Sequence, residues 1–121
     1  MLSIAIVGLG RVGTGFLKEI LGHGHQGLKV LWAAEPQETE GKELARRSGV
    51  RLLAVEDIIG MGQAVDIIFD FTGQAELRRQ LRQAMADTAN RHTVVASEVV
   101  GRLVWSLITD KPVPELHVLE Y

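Results

Sequence analysis

Short apolar runs alternate with helical patterns along the chain, and the first run is apolar almost throughout, as in a strand buried on both sides. The pattern predicts five strands, at residues 3–7, 28–34, 51–55, 65–71 and 93–97. It predicts helices at about residues 11–21, 38–48, 74–89 and 99–109, and a brief helix or turn at 56–61. Strands that alternate with helices are typical of a parallel sheet with helices on both faces. The predicted fold class is therefore α/β, a doubly wound parallel sheet.

Glycine and proline residues give the expected ends of these elements. Gly22 is the predicted stop of the first helix, and Gly49 is the predicted cap of the second. Pro112 and Pro114 cannot continue the last helix, and residues 116–121 are expected to add an extended edge strand. These signals divide the chain into one domain, residues 1–110, and a C-terminal tail, residues 111–121.

The composition narrows the classes of protein that the pattern allows. A length of 121 residues suits a single domain and is expected to leave no room for a second one. The formal net charge of -2 provides no basic field for a nucleic-acid backbone, and the absence of cysteine excludes disulfides and thiolate chemistry. No apolar run approaches the roughly 18 residues of a membrane span, and the N-terminus lacks the charged segment of a secretion signal. We therefore expect a cytoplasmic domain that binds neither nucleic acid nor a membrane.

A glycine-rich turn with the sequence Gly-Leu-Gly-Arg-Val-Gly follows the first strand. Its spacing matches the G-x-G-x-x-G fingerprint of dinucleotide-binding domains, and it lies between a strand and a helix, as that fingerprint requires. Gly8 allows the tight turn, Gly10 lets the backbone approach a pyrophosphate, and Gly13 lets the helix pack closely on the sheet. The N-terminus of that helix presents N–H groups to the phosphates. The predicted pyrophosphate site comprises Gly8, Gly10, Arg11, Val12 and Gly13.

An acidic residue at the end of the second strand supports the same interpretation. In dinucleotide-binding domains an acid roughly 20 residues beyond the glycine turn accepts hydrogen bonds from the adenosine ribose. Glu35 occupies this position. A carboxylate would repel the additional phosphate of NADP, and no arginine follows directly in residues 36–38, so the predicted cofactor is NAD. The alternative is that the glycine turn is only structural and that the domain binds no dinucleotide.

The fourth strand ends in Asp70-Phe71-Thr72, and this motif and the glycine turn together resemble the N-terminal NAD-binding domain of two dehydrogenase families. One is dihydrodipicolinate reductase, whose fourth strand typically ends in Asp-Phe-Thr, and the other is the glucose-fructose oxidoreductase family. The resemblance covers about residues 3–100. It implies that the loop after the fourth strand lies beside the nicotinamide ribose, with Phe71, Thr72 and Gly73 as candidate contacts.

The chain departs from both families at the end of the fifth strand. There the glucose-fructose oxidoreductase family has Glu-Lys-Pro, in which the lysine is the catalytic acid/base. The matching stretch here is Ser97-Glu98-Val99, so the glutamate is present and the lysine is missing. The Gly-Thr-Thr-Gly motif of dihydrodipicolinate reductase is missing too, and both families continue into a second, substrate-binding domain. Ser97 and Glu98 are therefore candidates for the nicotinamide end of the site, and no catalytic residue is predicted.

Two further features concern metal ions and partner proteins. His23 and His25 flank a glycine, but no third ligand is evident in that loop, so no metal site is predicted. The last helix has an apolar stripe that is expected to pack against the sheet, formed by Val100, Leu103, Val104, Leu107 and Ile108. Trp105 falls outside this stripe, which predicts that Trp105 and the C-terminal tail form a homodimer or partner interface. The alternative is that the tail folds back over the indole.

Three functions remain open from the sequence. The first is a stand-alone NAD-binding domain with a regulatory or ligand-sensing role, because a nicotinamide without a second domain would stay open to water. A looser resemblance supports it: Thr72-Gly73 and the Leu-Val-Trp-Ser-Leu segment at residues 103–107 look similar to short domains of bacterial signalling proteins. The second is a subunit or the N-terminal half of an NAD-dependent oxidoreductase. The third is a Rossmann scaffold that has lost its ligand.

Overall fold

The computed structural model of the protein describes residues 1–24, 27–112 and 114. The strands in this part of the chain are β1 (Leu2–Val7), β2 (Leu28–Ala34), β3 (Arg51–Leu52), β4 (Ile67–Asp70) and β5 (Val94–Ala96). The α-helices are α1 (Arg11–His23), α2 (Glu40–Arg47), α3 (Val55–Gly60), α4 (Ala75–Asp87) and α5 (Glu98–Ile108), and a single 3-10 turn covers Gly62–Ala64. None of the helices in the described ranges is both long and apolar enough to cross a membrane. The strand predicted at residues 116–121 lies outside those ranges.

The five strands form one sheet in the order β3-β2-β1-β4-β5, and every neighbouring pair is parallel. From β1 the chain adds strands first on one side and then, starting with β4, on the other side. This reversal leaves a crevice beyond the carboxyl ends of β1 and β4, where ligands bind in open α/β sheets. Val7 pairs with Ala34 on one side and with Asp70 on the other, so three strands end at the same level. The predicted doubly wound parallel sheet is confirmed.

Each face of the sheet packs against helices through its own apolar cluster. Ile4 and Ile6 of β1 face α1, α2 and α5, whereas the residues that alternate with them face α3 and α4. On the first face Phe16 of α1 contacts two aromatic rings from the end of β4, with centroid distances of 4.8 Å to Phe69 and 4.9 Å to Phe71. Contacts between aromatic rings add to the free energy gained by burial. This cluster fixes α1 against β4, the two elements that border the crevice.

The two predicted glycine stops have different outcomes. The prediction that Gly22 ends α1 is wrong, because the helix continues one residue further and the left-handed residue that terminates it is Gly24, with a φ of 56°. A glycine inside a helix costs about 1 kcal/mol relative to alanine, but this cost does not stop the helix. For α2 the predicted cap is confirmed, since Gly49 follows the helix with a φ of 77°. At the other end of α2 the Thr39 hydroxyl accepts a hydrogen bond from the Lys42 N–H at 3.1 Å.

The last helix faces the core with a side that is rotated from the predicted one. Of the predicted stripe, Val104 and Ile108 do pack against the core cluster. Trp105 is buried with 6% of its surface exposed, whereas Leu103 and Leu107 of the predicted core stripe are 60% and 77% exposed. The physical reason lies at Gly101, which rests against the ring of Phe71 at a place where any side chain would overlap that ring. Because a helix approaches a sheet most closely on its smallest residue, the face of Gly101 and Trp105 points inward. The spacing of apolar residues alone does not contain this information.

Trp105 is covered by the segment that follows α5. Gly15 of α1 makes room for the indole, since a Cβ on Gly15 would come within 3.3 Å of the ring. The indole Nε1–H donates a hydrogen bond to the Lys111 carbonyl at 2.8 Å, and the Lys111 ammonium pairs with Glu19 of α1 at 2.9 Å. The prediction that Trp105 projects from the core is therefore wrong. The alternative, in which the tail folds back over the indole, is confirmed for the part of the tail that the structure describes.

Candidate dinucleotide-binding site

The glycine turn lies where β1 and β4 diverge. Gly8 follows β1 with a φ of 96°, a conformation that other residues rarely adopt. A Cβ at this position would also come within 2.9 Å of the Phe71 backbone and 3.0 Å of the Thr72 nitrogen, because the loop after β4 passes beside the turn. The Gly8 N–H donates a hydrogen bond to the Ala34 carbonyl at 2.9 Å. Gly8 therefore lets the ends of β1, β2 and β4 meet at one point.

The other two glycines of the turn differ in the space around them. A Cβ on Gly13 would overlap the carbonyl oxygen of Gly8, so α1 packs on the turn at a distance that only glycine allows. A Cβ on Gly10 would have no neighbour within 4 Å among the described residues. Gly10 is also the N-terminal cap residue of α1 and provides no side-chain cap, which leaves this end of the helix open to an anion. The packing role predicted for Gly13 is confirmed, and the space at Gly10 is what a pyrophosphate there requires.

Glu35 connects the end of β2 to the glycine turn. One carboxylate oxygen accepts a hydrogen bond from the Leu9 N–H at 2.9 Å, and the other accepts one from the Gln37 N–H at 3.0 Å. A carboxylate has about four acceptor positions, so about two remain for other donors such as ribose hydroxyls. The side chain therefore holds the turn in place and also presents acceptor positions to the space in front of it.

The loop after β4 is shaped by Asp70, which is completely buried. Its Oδ1 accepts hydrogen bonds from the Thr72 N–H at 3.0 Å and from the Thr72 hydroxyl at 2.7 Å. The hydroxyl oxygen in turn accepts a hydrogen bond from the Gln74 N–H at 3.2 Å, and Gly73 between them has a φ of 68°. The sequence Asp-Phe-Thr-Gly thus specifies a fixed loop that leads into α4. We had no sequence-based expectation for this role of Asp70.

A cleft of about 300 Å³ opens between these two loops and the end of β2. Its walls contain five of the predicted site residues, namely Gly8, Gly10, Glu35, Phe71 and Thr72. The walls also contain residues that the sequence did not single out, namely Val7, Ala34, Pro36, Gln37, Val55, Gln74 and Leu77. Val55, Gln74 and Leu77 belong to the beginnings of α3 and α4. The order of strands and helices could have indicated them, since each helix that follows a parallel strand begins at the carboxyl edge of the sheet.

A second cleft of about 530 Å³ continues from the first one past Glu35 toward α3. The two clefts share the walls formed by Ala34, Glu35, Pro36, Val55 and Leu77. Apart from Lys42 and three acidic residues, the second cleft is lined by apolar residues such as Leu53 and Val55. Ligand sites commonly combine such apolar walls with a few well-placed polar groups. Together the clefts form one elongated depression along the carboxyl edge of the sheet.

Positive charge beside the second cleft is paired with Glu38. Lys42 lines this cleft, and its ammonium lies 3.2 Å from one Glu38 oxygen. Arg46 forms two hydrogen bonds of 2.9 Å, one to each oxygen of the same carboxylate. Hydrogen bonds from Arg46 and from Lys42 lower the pKa of Glu38 to about 2, so this residue stays ionised at neutral pH. Because Lys42 and Arg46 are both paired with Glu38, they do not form an open cationic site for a phosphate.

The remaining predicted site residues do not line the two clefts. Arg11 and Val12 form the first turn of α1, where Arg11 is exposed and Val12 is buried. Ser97 directly precedes α5 at the carboxyl end of β5. Glu98 is completely buried beside a small pocket between α1 and α5, so its carboxylate does not reach the clefts. The structure thus brings the glycine turn, Glu35 and the loop after β4 together, and leaves Ser97 and Glu98 apart from them.

The histidine pair of the α1–β2 loop can be followed only in part. The ring Nδ1 of His23 lies 2.6 Å from the Glu19 carbonyl oxygen. His25 lies outside the described residues. Within the described ranges no three His, Asp or Glu side chains are grouped so that they could hold a metal ion.

No protein-family model and no curated protein matches the chain. Solved structures do match it. GenD2 from gentamicin A biosynthesis, in complex with NAD, matches with 20% identity and a TM-score of 0.57, over 79% of this chain and 34% of GenD2. The homoserine dehydrogenase of S. aureus matches with 21% identity and a TM-score of 0.59, over 88% of this chain and 29% of that enzyme. A myo-inositol dehydrogenase from Corynebacterium glutamicum matches with 18% identity and a TM-score of 0.50, over 79% and 36%.

At these identities the similarity establishes the fold. The protein has a Rossmann-type α/β fold, defined here by the strand order, the crevice between β1 and β4, and the glycine turn beside it. The resemblance to dehydrogenase cofactor domains that the sequence indicates is confirmed at the level of the fold. The chain spans between 29% and 36% of the length of these three similar proteins.

Proposed function

We propose that the protein binds a nicotinamide adenine dinucleotide in the two connected clefts. The observation that carries this proposal is the hydrogen bond from the Leu9 N–H to Glu35, because it holds the carboxylate at the fingerprint's expected ribose position directly against the glycine turn. A turn retained only for packing requires Gly8 and Gly13, but it does not require the open space at Gly10. The similarity in fold to GenD2, which was solved with NAD, supports the same class of ligand.

The adenosine half of the ligand occupies the region around Glu35. The pyrophosphate lies over Gly10 and accepts hydrogen bonds from the N–H groups of Arg11 and Val12. The ribose hydroxyls donate hydrogen bonds to Glu35. The adenine lies in the second cleft, whose apolar walls suit a flat aromatic base.

The nicotinamide half lies at the loop after β4. Phe71, Thr72 and Gly73 border this end, and the Thr72 hydroxyl is held in place by Asp70. Because Glu98 is completely buried, we expect Ser97 and the backbone at the start of α5 to face this end of the ligand, rather than the Glu98 carboxylate.

NAD is preferred over NADP on electrostatic grounds. The Glu35 carboxylate lies where the additional phosphate of NADP would have to be placed, and like charges at such a distance repel. The nearby cations Lys42 and Arg46 are already paired with Glu38, so they would have to leave that carboxylate in order to compensate. We therefore expect NADP to bind at least about 10-fold more weakly than NAD.

We infer a regulatory or ligand-sensing role rather than catalysis by this domain itself. Among the described residues that line the first cleft, Glu35 is the one ionisable side chain, and it lies at the adenosine end. Hydride transfer to or from a hydroxyl or amino group is assisted by a positioned acid or base near the nicotinamide. The walls near Phe71, Thr72 and Gln74 offer no such group within the described ranges.

A second candidate function is the cofactor domain of an NAD-dependent oxidoreductase, in which a separate domain or subunit supplies the substrate site. The observation in its favour is that two of the similar structures are dehydrogenases of which this chain covers only 29% and 36%. Titration of the purified protein with NAD, NADH, NADP and NADPH by calorimetry tests both functions. Binding without turnover of hydroxy or amino substrates supports the sensing role, and turnover supports the oxidoreductase. Binding of none of the four contradicts both and leaves the scaffold.

The variant Gly10→Ala tests the position of the pyrophosphate. Its Cβ would have no neighbour within 4 Å in the described part of the chain, so the fold should stay intact, but it would occupy the space over which the phosphates lie. We expect dinucleotide binding to fall below detection while the circular dichroism spectrum and Tm stay close to those of the wild type. Gly22→Ala is the matched control, since Gly22 lies in the same helix with equally open space around it. Unchanged binding to the Gly10→Ala variant would show that the ligand does not approach the turn.

A further inference from the structure

The outward side of α5 is apolar and open to solvent. Val99, Val100, Leu103 and Leu107 have 58%, 43%, 60% and 77% of their surfaces exposed. The helix has 11 residues, of which Glu98 and Arg102 are the charged ones, and Glu98 is completely buried. A helix on the surface of a monomer normally carries charged and polar residues on its outer face. This one does not, which indicates that the face is covered in the functional protein.

The apolar surface continues onto the edge of the sheet. β5 pairs with β4 on one side and is the edge strand of the described sheet on the other. Val94 at its start is 57% exposed, and it lies on the same face of the sheet as α5, because the next residue, Val95, packs into the cluster on the opposite face. Val94 therefore adds to the apolar surface on this face of the molecule, and the exposed apolar side chains together present on the order of 400 Å², as much as the largest apolar patches of typical monomers.

The positions on α5 are suited to a second copy of the same helix. Val99 and Leu107 lie four residues before and four residues after Leu103. In an antiparallel pair of helices related by a two-fold axis at Leu103, Val99 of one copy therefore meets Leu107 of the other, and Leu103 meets itself. A two-fold interface requires such self-complementarity, since both copies use the same surface.

Two polar residues of α5 border its exposed apolar positions. Arg102 and Ser106 are exposed there, and the Ser106 hydroxyl donates a hydrogen bond to the Arg102 carbonyl at 2.9 Å within the helix. No charged side chain of α5 lies between the exposed apolar positions, so two copies can approach without burying an unpaired charge. Gln80, which is exposed on α4 at the opposite face of the sheet, provides a matched control position.

We propose that the protein forms a two-fold homodimer through α5, with Leu103 at the axis and Val94 at the periphery of the contact. A standard interface buries about 800 Å² on each partner, of which about 65% is apolar in homodimers. The exposed apolar side chains of α5 and Val94 supply most of that apolar share. Since none of these residues lines the clefts, the dimer leaves the proposed dinucleotide site open, and the two proposals can fail independently.

The oligomeric state of the full chain tests this proposal. Sedimentation and light scattering should show a dimer at micromolar concentration, and Leu103→Asp should raise its dissociation constant about 30-fold or more. Gln80→Asp introduces the same charge on α4, on the opposite face of the sheet, and should leave the dimer intact. Calorimetric titration with NAD should give the same affinity for the Leu103→Asp variant, and its circular dichroism spectrum should be that of the wild type, because Leu103 contributes little to the core.

Because the chain has no cysteine, single cysteines can map the contact directly. Leu103→Cys should form a covalent dimer with a short bismaleimide, since the two copies of this position meet at the axis. Gln80→Cys, on the opposite face of the sheet, should react with monofunctional maleimide but should not form the dimer. A wild-type protein that is monomeric up to about 100 μM, or a dimer that survives Leu103→Asp, or equal cross-linking at both positions, would overturn the proposal.

Discussion

The two ends of the same strands hold a carboxylate in different ways. At the carboxyl ends, Glu35 accepts hydrogen bonds from the backbone N–H groups of Leu9 and Gln37 and lines an open cleft. At the amino ends, Asp66 accepts one from the Ser3 N–H at 2.7 Å, and its other oxygen lies 2.5 Å from Nε2 of His92. Both carboxylates connect neighbouring strands. Among the described residues, a histidine side chain bonds one oxygen of Asp66, whereas the hydrogen bonds to Glu35 come from backbone N–H groups. In both places a carboxylate accepts a hydrogen bond from a backbone N–H. At Glu35 this contact leaves acceptor positions for a ligand, and at Asp66 it serves only to hold strands together.

The largest effect is expected on stability, from a side chain added where α1 packs on the glycine turn at the carboxyl ends of the strands. In Gly13→Ala the new Cβ would overlap the Gly8 carbonyl oxygen, so α1 or the turn has to move. Overpacking of this kind costs typically 1–3 kcal/mol, and a clash with backbone belongs at or above the upper end, about 3 kcal/mol. Urea denaturation should show this loss in the free energy of unfolding. Gly22→Ala in the same helix should be neutral or slightly stabilising, and equal stability of both variants would show that the turn is not closely packed.

The next largest effect is expected from removing the negative charge of Glu35, which is proposed to bind the ribose, whereas the charge of Asp66 is not. Glu35→Gln keeps the size of the side chain and an acceptor for the Leu9 N–H, but it removes the negative charge that receives the ribose hydroxyls. Hydrogen bonds to charged groups contribute about 1.5–3 kcal/mol, so we expect NAD to bind roughly 10- to 100-fold more weakly. Calorimetry measures the change. Asp66→Asn removes the same charge at the opposite end and should leave the affinity for NAD unaltered, whereas equal losses in both variants would mean that Glu35 acts only through the fold.

The smallest effect is a pH dependence of stability at the amino end. The hydrogen bond from Ser3, and after it the contact with His92, hold the pKa of Asp66 below its usual value near 4. A lowered pKa in the folded state means that the ionised carboxylate stabilises the fold above about pH 4, and that this contribution is lost as the pH falls further. Thermal unfolding of Asp66→Asn between pH 2 and 7 should therefore show a Tm that falls less steeply in acid than that of the wild type. Parallel pH profiles of the two proteins would contradict the assignment.

Most of the fold could be predicted because its signals are local. The strands were identified from short apolar runs, and β2 was predicted with the bounds that the structure shows, Leu28–Ala34. The ends of other strands were less well predicted, since pairing decides them. β3 was expected to cover five residues but has two, because Arg51 and Leu52 pair in register with β2 and Leu53 adds only one hydrogen bond, to the Ala33 carbonyl. Hydrophobicity alone does not report where a neighbouring strand stops.

In the candidate site and the helix beside it, too, the local features could be predicted and the long-range contacts could not. Gly8, Gly10 and Glu35 could be identified because the fingerprint fixes their spacing within one βαβ unit, and the structure places all three in the walls of one cleft. The inward face of α5 could not be predicted, because it depends on the contact of Gly101 with Phe71, which are distant in the sequence and adjacent in space.

The covering of Trp105 has a consequence for the order in which the protein folds. Its indole contacts α1, near the beginning of the chain, and hydrogen-bonds to Lys111, near the end of the described residues. These contacts therefore join the two ends of the described sequence. Contacts between such distant residues form late, because the intervening chain has to be ordered first. With Trp32 replaced by phenylalanine, the fluorescence of Trp105 would report this last closure by itself. During synthesis, α1 remains uncovered on this side until Lys111 has left the ribosome.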